Sequence, residues 1–121
     1  MSYKVLIIED EPAIARVLEL KLRQLGIDTT LTNDGSVALD IIKTQDFDCI
    51  LLDLILPGVD GFAILEAIRQ KSQSAKVIIM TNLGQPEDKA RVEKLGVTAY
   101  YIKSEVSISQ LSEFIKNTLA T

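Results

Sequence analysis

At four places in the chain an apolar run ends in a side chain that could do chemistry. Val5-Leu6-Ile7-Ile8 leads into Glu9-Asp10-Glu11, and Cys49-Ile50-Leu51-Leu52 leads into Asp53. Val77-Ile78-Ile79-Met80 leads into Thr81, and Ala99-Tyr100-Tyr101-Ile102 into Lys103. Singly, each is ordinary. An acid ahead of a helix caps it and suits its dipole, Thr-Asn after a strand is turn chemistry, and most lysines solvate a surface. Jointly they describe a site. Carboxylates brought together repel one another, and a bound cation or an ammonium relieves the repulsion. A ligand set made only of oxygen suits Mg²⁺, which bridges readily to phosphoryl groups. A carboxylate at the centre of such a site is a nucleophile towards phosphorus, giving an aspartyl phosphate. Hydroxyl, ammonium and metal then neutralise the oxygens of the transferring group.

Residues that are missing narrow the chemistry further. The chain has no histidine, which excludes Ser-His-Asp and Cys-His catalysis, imidazole ligands and a phosphohistidine on this chain. Neither G-x-G-x-x-G nor G-x-x-x-x-G-K-[ST] occurs, so dinucleotide-binding and P-loop readings have no support. Acids follow the first apolar run where a flavodoxin would need a hydroxyl- and glycine-rich phosphate cradle. Dehalogenase-type phosphatases carry a general acid two residues after the nucleophile, and that position here is Ile55. A net charge of -4, from 13 Lys+Arg against 17 Asp+Glu, argues against nucleic-acid binding. Cys49 is the only cysteine and lies within an apolar run, as a core residue in a reducing compartment does. No apolar stretch approaches the roughly 20 residues of a membrane span, and the acidic N-terminal region is unlike a signal peptide. The expectation is a cytoplasmic protein without membrane contact.

Positioning these residues requires an alternating order of elements. The runs at Val5–Ile8, Cys49–Leu52 and Val77–Met80 are continuous and aliphatic, as strands buried on both faces are. Asp28 to Thr32 is threonine-rich and polar, which suits an edge strand, and Ala99–Ile102 suits the opposite edge. Ile14, Leu18, Leu22 and Leu25 form a helical stripe between Pro12 and Gly26. Ile108, Leu111, Ile115 and Leu119 form another after Ser107, a candidate cap. Segments from Asp34-Gly35 to Thr44, from Asp60-Gly61 to Gln70 and from Pro86 to Leu95 supply three more helices. The fold class is α/β, a (βα)5 doubly wound parallel sheet joined by right-handed crossovers. Ligands bind such a sheet beyond the carboxyl ends of its strands, where strand order reverses.

The chain resembles the receiver domain of two-component response regulators over essentially its whole length. The resemblance is carried by Val5 to Pro12, by Leu51-Leu52-Asp53-Leu54-Ile55-Leu56-Pro57-Gly58-Val59-Asp60-Gly61, by Thr81 and by Tyr100-Tyr101-Ile102-Lys103. It implies a flavodoxin-like five-stranded sheet of order 2-1-3-4-5, with residues 1–121 forming a single receiver domain and no output domain. It implies that Asp53 is the phospho-acceptor, served by a sensor histidine kinase or phosphotransfer protein. Glu9, Asp10, Asp53 and the backbone carbonyl of Ile55 would hold Mg²⁺. Thr81 would bind a phosphoryl oxygen, Lys103 would pair with the site, and Thr81 with Tyr100 would form the switch. The readout would be protein contacts at the face of the fourth helix, fifth strand and fifth helix, by a downstream partner, a detached output domain or a phosphorylation-dependent homodimer. Such a domain is regulatory rather than an enzyme.

Four positions depart from the family pattern or qualify it. Ser104 follows Lys103 where the family usually has proline, so this peptide bond is expected to be trans or to retain strain. Asn82 replaces a small residue and is expected to narrow access to Asp53. Ile55 and Leu83, each two residues past a site residue, are aliphatic and cannot orient a hydrolytic water, so slow self-dephosphorylation is expected. Two competing readings are a receiver-like interaction module that is never phosphorylated and a small aspartate-dependent phosphatase. The first would be expected to have lost one of Asp53, Thr81 and Lys103, and the second lacks a proton donor near Asp53.

Overall fold

Strands and helices alternate strictly along the chain in this computed structural model, which describes residues 2–120. The strands are β1 (Lys4–Ile8), β2 (Asp28–Thr32), β3 (Cys49–Leu52), β4 (Lys76–Thr81) and β5 (Ala99–Ile102). The helices are α1 (Pro12–Gln24), α2 (Gly35–Thr44), α3 (Gly61–Lys71), α4 (Pro86–Glu93) and α5 (Ile108–Leu119). A 3₁₀ turn at Lys103–Glu105 joins β5 to α5. All neighbouring strands are parallel, in the order β2-β1-β3-β4-β5. Strand order therefore reverses between β1 and β3, whose carboxyl ends carry Glu9 and Asp53.

Alternation along the strands explains the continuous apolar runs. Successive side chains point to opposite faces, and both faces are covered. Leu6, Ile8, Ile50 and Leu52 pack with α2 and α3, whereas Val5, Ile7, Cys49 and Leu51 pack with α1 and α5. Cys49 is fully buried, and burial pushes its thiol up to about 12, which makes it an inert core residue. β2 and β5 are the edges and are only partly buried.

The expected α1 stripe needs one correction. Leu25 is 39% exposed, because it lies beyond the last helical turn, where Gly26 at φ +80° reverses the chain. Ala15 is buried with Leu18 and Leu22 instead. α4 stops at Glu93, two residues short of the expected Leu95. The loop after β3 is pinned tightly onto α3. A Cβ on Gly61 would stand 2.4 Å from the Leu54 Cα, and Gly58 adopts φ +84°, a conformation that favours glycine. No helix among the described residues is long and apolar enough to cross a membrane.

Candidate functional site

Glu9, Asp10 and Asp53 converge at the carboxyl edge of the sheet. Each offers a carboxylate oxygen, and these oxygens lie within 4.8 Å of one another. β1 and β3 bring them together by pairing Ile8 with Leu52, the residues just ahead of Glu9 and Asp53. Lys103 enters from the end of β5 and donates to Asp53 Oδ2 at 2.6 Å, and to Glu9 Oε2 and Glu11 Oε1 at 2.9 Å each. Asp53 Oδ1 accepts the Ile55 N–H at 3.0 Å, so both of its oxygens are oriented.

This packing shifts two of the site's pKa values. Burial pushes Glu9 up to about 7, although the Glu11 N–H and the Lys103 ammonium both favour its charged form. For Lys103, burial acts to lower the pKa, but the hydrogen bonds to Asp53, Glu11 and Glu9 outweigh it and the net shift is upward. Glu9 Oε1 is buried without a hydrogen-bond partner. An orphaned carboxylate oxygen beside two further carboxylates is a donor set that fits a hard dication such as Mg²⁺.

Thr81 is fully buried at the end of β4, and its hydroxyl oxygen accepts the Leu83 N–H at 3.4 Å. The Leu83 carbonyl in turn accepts the Tyr100 hydroxyl. The loop after β4 thus links the two expected switch residues through Leu83. Tyr100 is half-buried against the core on the α2–α3 side. Burial and the nearby Asp88 raise its hydroxyl pKa.

The two departures at the loop ends are partners. Every peptide bond among the described residues is trans, the Lys103–Ser104 bond included. Ser104 donates its N–H to Asn82 Oδ1 at 3.2 Å, a bond that proline could not make. Asn82 therefore braces the segment that carries Lys103. Ile55 projects its side chain outward, 48% exposed, while its N–H faces Asp53.

The residues alone did not reveal the Leu83 link or the bond from Lys103 to Glu11. Glu11 was visible as a third acid, and an acid just ahead of a helix reads as a cap. Its side chain makes no cap bond.

Comparison with known proteins agrees with this geometry. The family model of the response regulator receiver domain matches residues 5–116. The transcriptional activator protein PfeR of Pseudomonas aeruginosa is 38% identical over 88 residues, 73% of this chain and 28% of that protein. The chain spans only 28% to 41% of the length of such curated relatives. A CheY-like response regulator receiver domain protein from Methanospirillum hungatei superposes with a TM-score of 0.92 at 26% identity, covering 99% of this chain and 95% of that one. The receiver domain of the sensor histidine kinase PA1611 of Pseudomonas aeruginosa, with a magnesium ion coordinated in its active site cleft, gives 0.83 at 26% identity over 100% of both chains. With a match of this extent and a sheet edge of this composition, the chain belongs to the response regulator receiver domain family, the regulatory domains of two-component signalling.

Proposed function

We propose that Asp53 accepts a phosphoryl group from the phosphohistidine of a sensor kinase or phosphotransfer protein. The observation that carries this reading is the seating of Asp53. It is 2% exposed at the point where strand order reverses, with one oxygen on Lys103 and the other on the Ile55 N–H. An Asp53 oxygen attacks phosphorus opposite the donor imidazole. The new O–P bond forms as the N–P bond breaks, and the electron pair leaves with the imidazole nitrogen, which belongs to the partner because this chain has no histidine. Positioning and charge neutralisation supply most of the catalysis in such a transfer.

Glu9, Asp10, Asp53 and the Ile55 carbonyl hold Mg²⁺ in this reading, supported by the unpaired Glu9 Oε1 and by the magnesium in the PA1611 receiver domain. When bound, the dication offsets the charge of the entering phosphoryl oxygens. Lys103 and the Thr81 hydroxyl take the remaining oxygens. Phosphorylation adds about -1.5 to -2 charge at the sheet edge. Thr81, turning towards it, releases the Leu83 N–H and so disturbs the loop whose carbonyl holds Tyr100. That changes the face of α4, β5 and α5, to be read by a downstream protein, an output domain or a second copy. The domain itself contacts no nucleic acid and acts in the cytoplasm.

Intact mass after incubation with acetyl phosphate and Mg²⁺ tests the reading. One added phosphoryl group is expected on the parent and none on Asp53→Asn, with unchanged circular dichroism. Equal labelling of that variant would move the acceptor elsewhere.

A further inference from the structure

Lys103 has the chemistry of a phosphoryl ligand but no hydrogen left to offer one. An ammonium carries three N–H donors, and all three are engaged, by Asp53, Glu9 and Glu11. A phosphoryl oxygen on Asp53 can be bonded only if one of these acceptors is given up. The three are not equivalent. The Glu9 and Asp53 side chains are 0% and 2% exposed, whereas that of Glu11 is 52% exposed. A buried carboxylate stripped of its cation keeps its desolvation cost, while a solvent-facing one is rehydrated. Glu11 is the acceptor that is easiest to release.

Its place in the chain points the same way. Glu11 stands at the N-cap of α1, yet its side chain caps nothing. Asp34, Asp60 and Ser107, at the corresponding positions of α2, α3 and α5, all accept helix N–H groups. The Glu11 carboxylate reaches instead to a residue 92 positions away. It is also absent from the converging trio of Glu9, Asp10 and Asp53. Its backbone N–H donates to Glu9 Oε2 at 2.8 Å, a bond that any change of side chain leaves in place.

We infer that Glu11 is a positioning residue that occupies the third donor of Lys103 in the unphosphorylated protein and yields it to a phosphoryl oxygen when Asp53 is loaded. This rests on the reading of Asp53 as the acceptor. Glu11 thereby sets how readily Lys103 becomes available, and with it the rate of loading. In the exchange the hydrogen bond from Lys103 to Glu11 is replaced by one to a phosphoryl oxygen, while the loading step itself forms the Asp53 O–P bond and breaks the donor's bond to phosphorus.

Two variants separate this role from a simple effect of charge. Glu11→Gln removes the anionic acceptor, and Glu11→Asp keeps the charge but is one methylene too short to hold Lys103. Two readouts are needed: labelling by acetyl phosphate with Mg²⁺, followed by intact mass, and exchange of the Lys103 ammonium protons with water, followed by ¹⁵N NMR on metal-free protein. Both variants should label about two- to fivefold faster than the parent, the effect of losing a half-exposed ion pair. Both should also show faster ammonium exchange. Should Glu11→Asp match the parent while Glu11→Gln accelerates, net charge on the approaching donor is the cause and the inference is wrong. Unchanged ammonium exchange in both variants overturns it as well. A parent that takes up no phosphoryl group defeats the Asp53 reading first, and that failure is visible without either variant.

Discussion

Two buried cations sit near opposite edges of the same sheet, and their partners differ in kind. Arg69, at the end of α3 by the amino edge, is 8% exposed and donates to the backbone carbonyls of Leu95, Gly96, Ser72 and Ala75. Lys103, at the carboxyl edge, donates to three carboxylates. Carbonyls neither titrate nor dissociate, and they include those left over just beyond the end of α4. The Arg69 cluster ties the end of α3 to the segments just before β4 and just after α4. Around Lys103 the anions outnumber the cation and Glu9 Oε1 has no partner. The carboxylates of that edge form a donor set that fits a dication. Room alone does not make a site: the cavity of about 400 Å³ lies at the amino edge, where Lys71 and Lys76 donate to the carbonyls of Gln45 and Thr118.

The contrast can be broken most forcefully at Arg69. Arg69→Met leaves buried carbonyls without a donor and should cost about 4 kcal/mol, read by urea denaturation, with Mg²⁺ failing to recover the loss. Recovery by Mg²⁺ would mean that the two edges are not energetically separate.

At the other edge the sign reverses for Glu9, whose charge is a burden on the metal-free fold because it is buried. Glu9 has its pKa raised from 4.5 to about 7. A carboxyl raised in the folded state contributes stability that is complete below about pH 4.5 and is lost as pH rises through about 7. Glu9→Gln should therefore stabilise the protein at pH 8 in a chelator, by on the order of 3 kcal/mol. The gain should vanish near pH 4.5 in thermal denaturation. A gain that is independent of pH would put its origin in packing rather than charge.

A smaller effect is expected on phosphoryl lifetime, where Ile55 and Leu83 flank the site. Ile55→Asn with Leu83→Glu should accelerate decay after donor removal about tenfold, or about 1.4 kcal/mol of barrier. Equal decay in the parent would show that these side chains do not shield phosphorus. The smallest effect belongs to the brace between Asn82 and Ser104. Asn82→Ala removes an exposed acceptor that water can replace, so stability should fall by less than about 1 kcal/mol. The Ser104 amide should exchange faster, and an unchanged rate would mean that the bond contributes nothing to holding Lys103.

Legibility in the sequence differed with the kind of residue. Val5–Ile8 and Cys49–Leu52 were plain as strands because burial on both faces permits no polar interruption. Leu25 misled because the apolar spacing continues one residue past Gln24, where α1 has already ended ahead of the turn at Gly26. Asp53 and Lys103 were legible through their place at strand ends, and Asp34, Asp60 and Ser107 followed the chemistry of caps. Glu11 did not, since its residue type and position suit a cap equally well.

By itself, then, the sequence determined the α/β class, the edge at which chemistry gathers and the oxygen-only character of that edge. Those follow from period, burial and residue type, which are local properties. Only the tertiary structure decided which acid takes which hydrogen of Lys103, that Asn82 meets Ser104, and that Leu83 ties Thr81 to Tyr100. Each depends on rotamers and on strands brought together from distant parts of the chain. A long side chain at a strand end has several partners within reach, and packing of the surrounding elements selects among them.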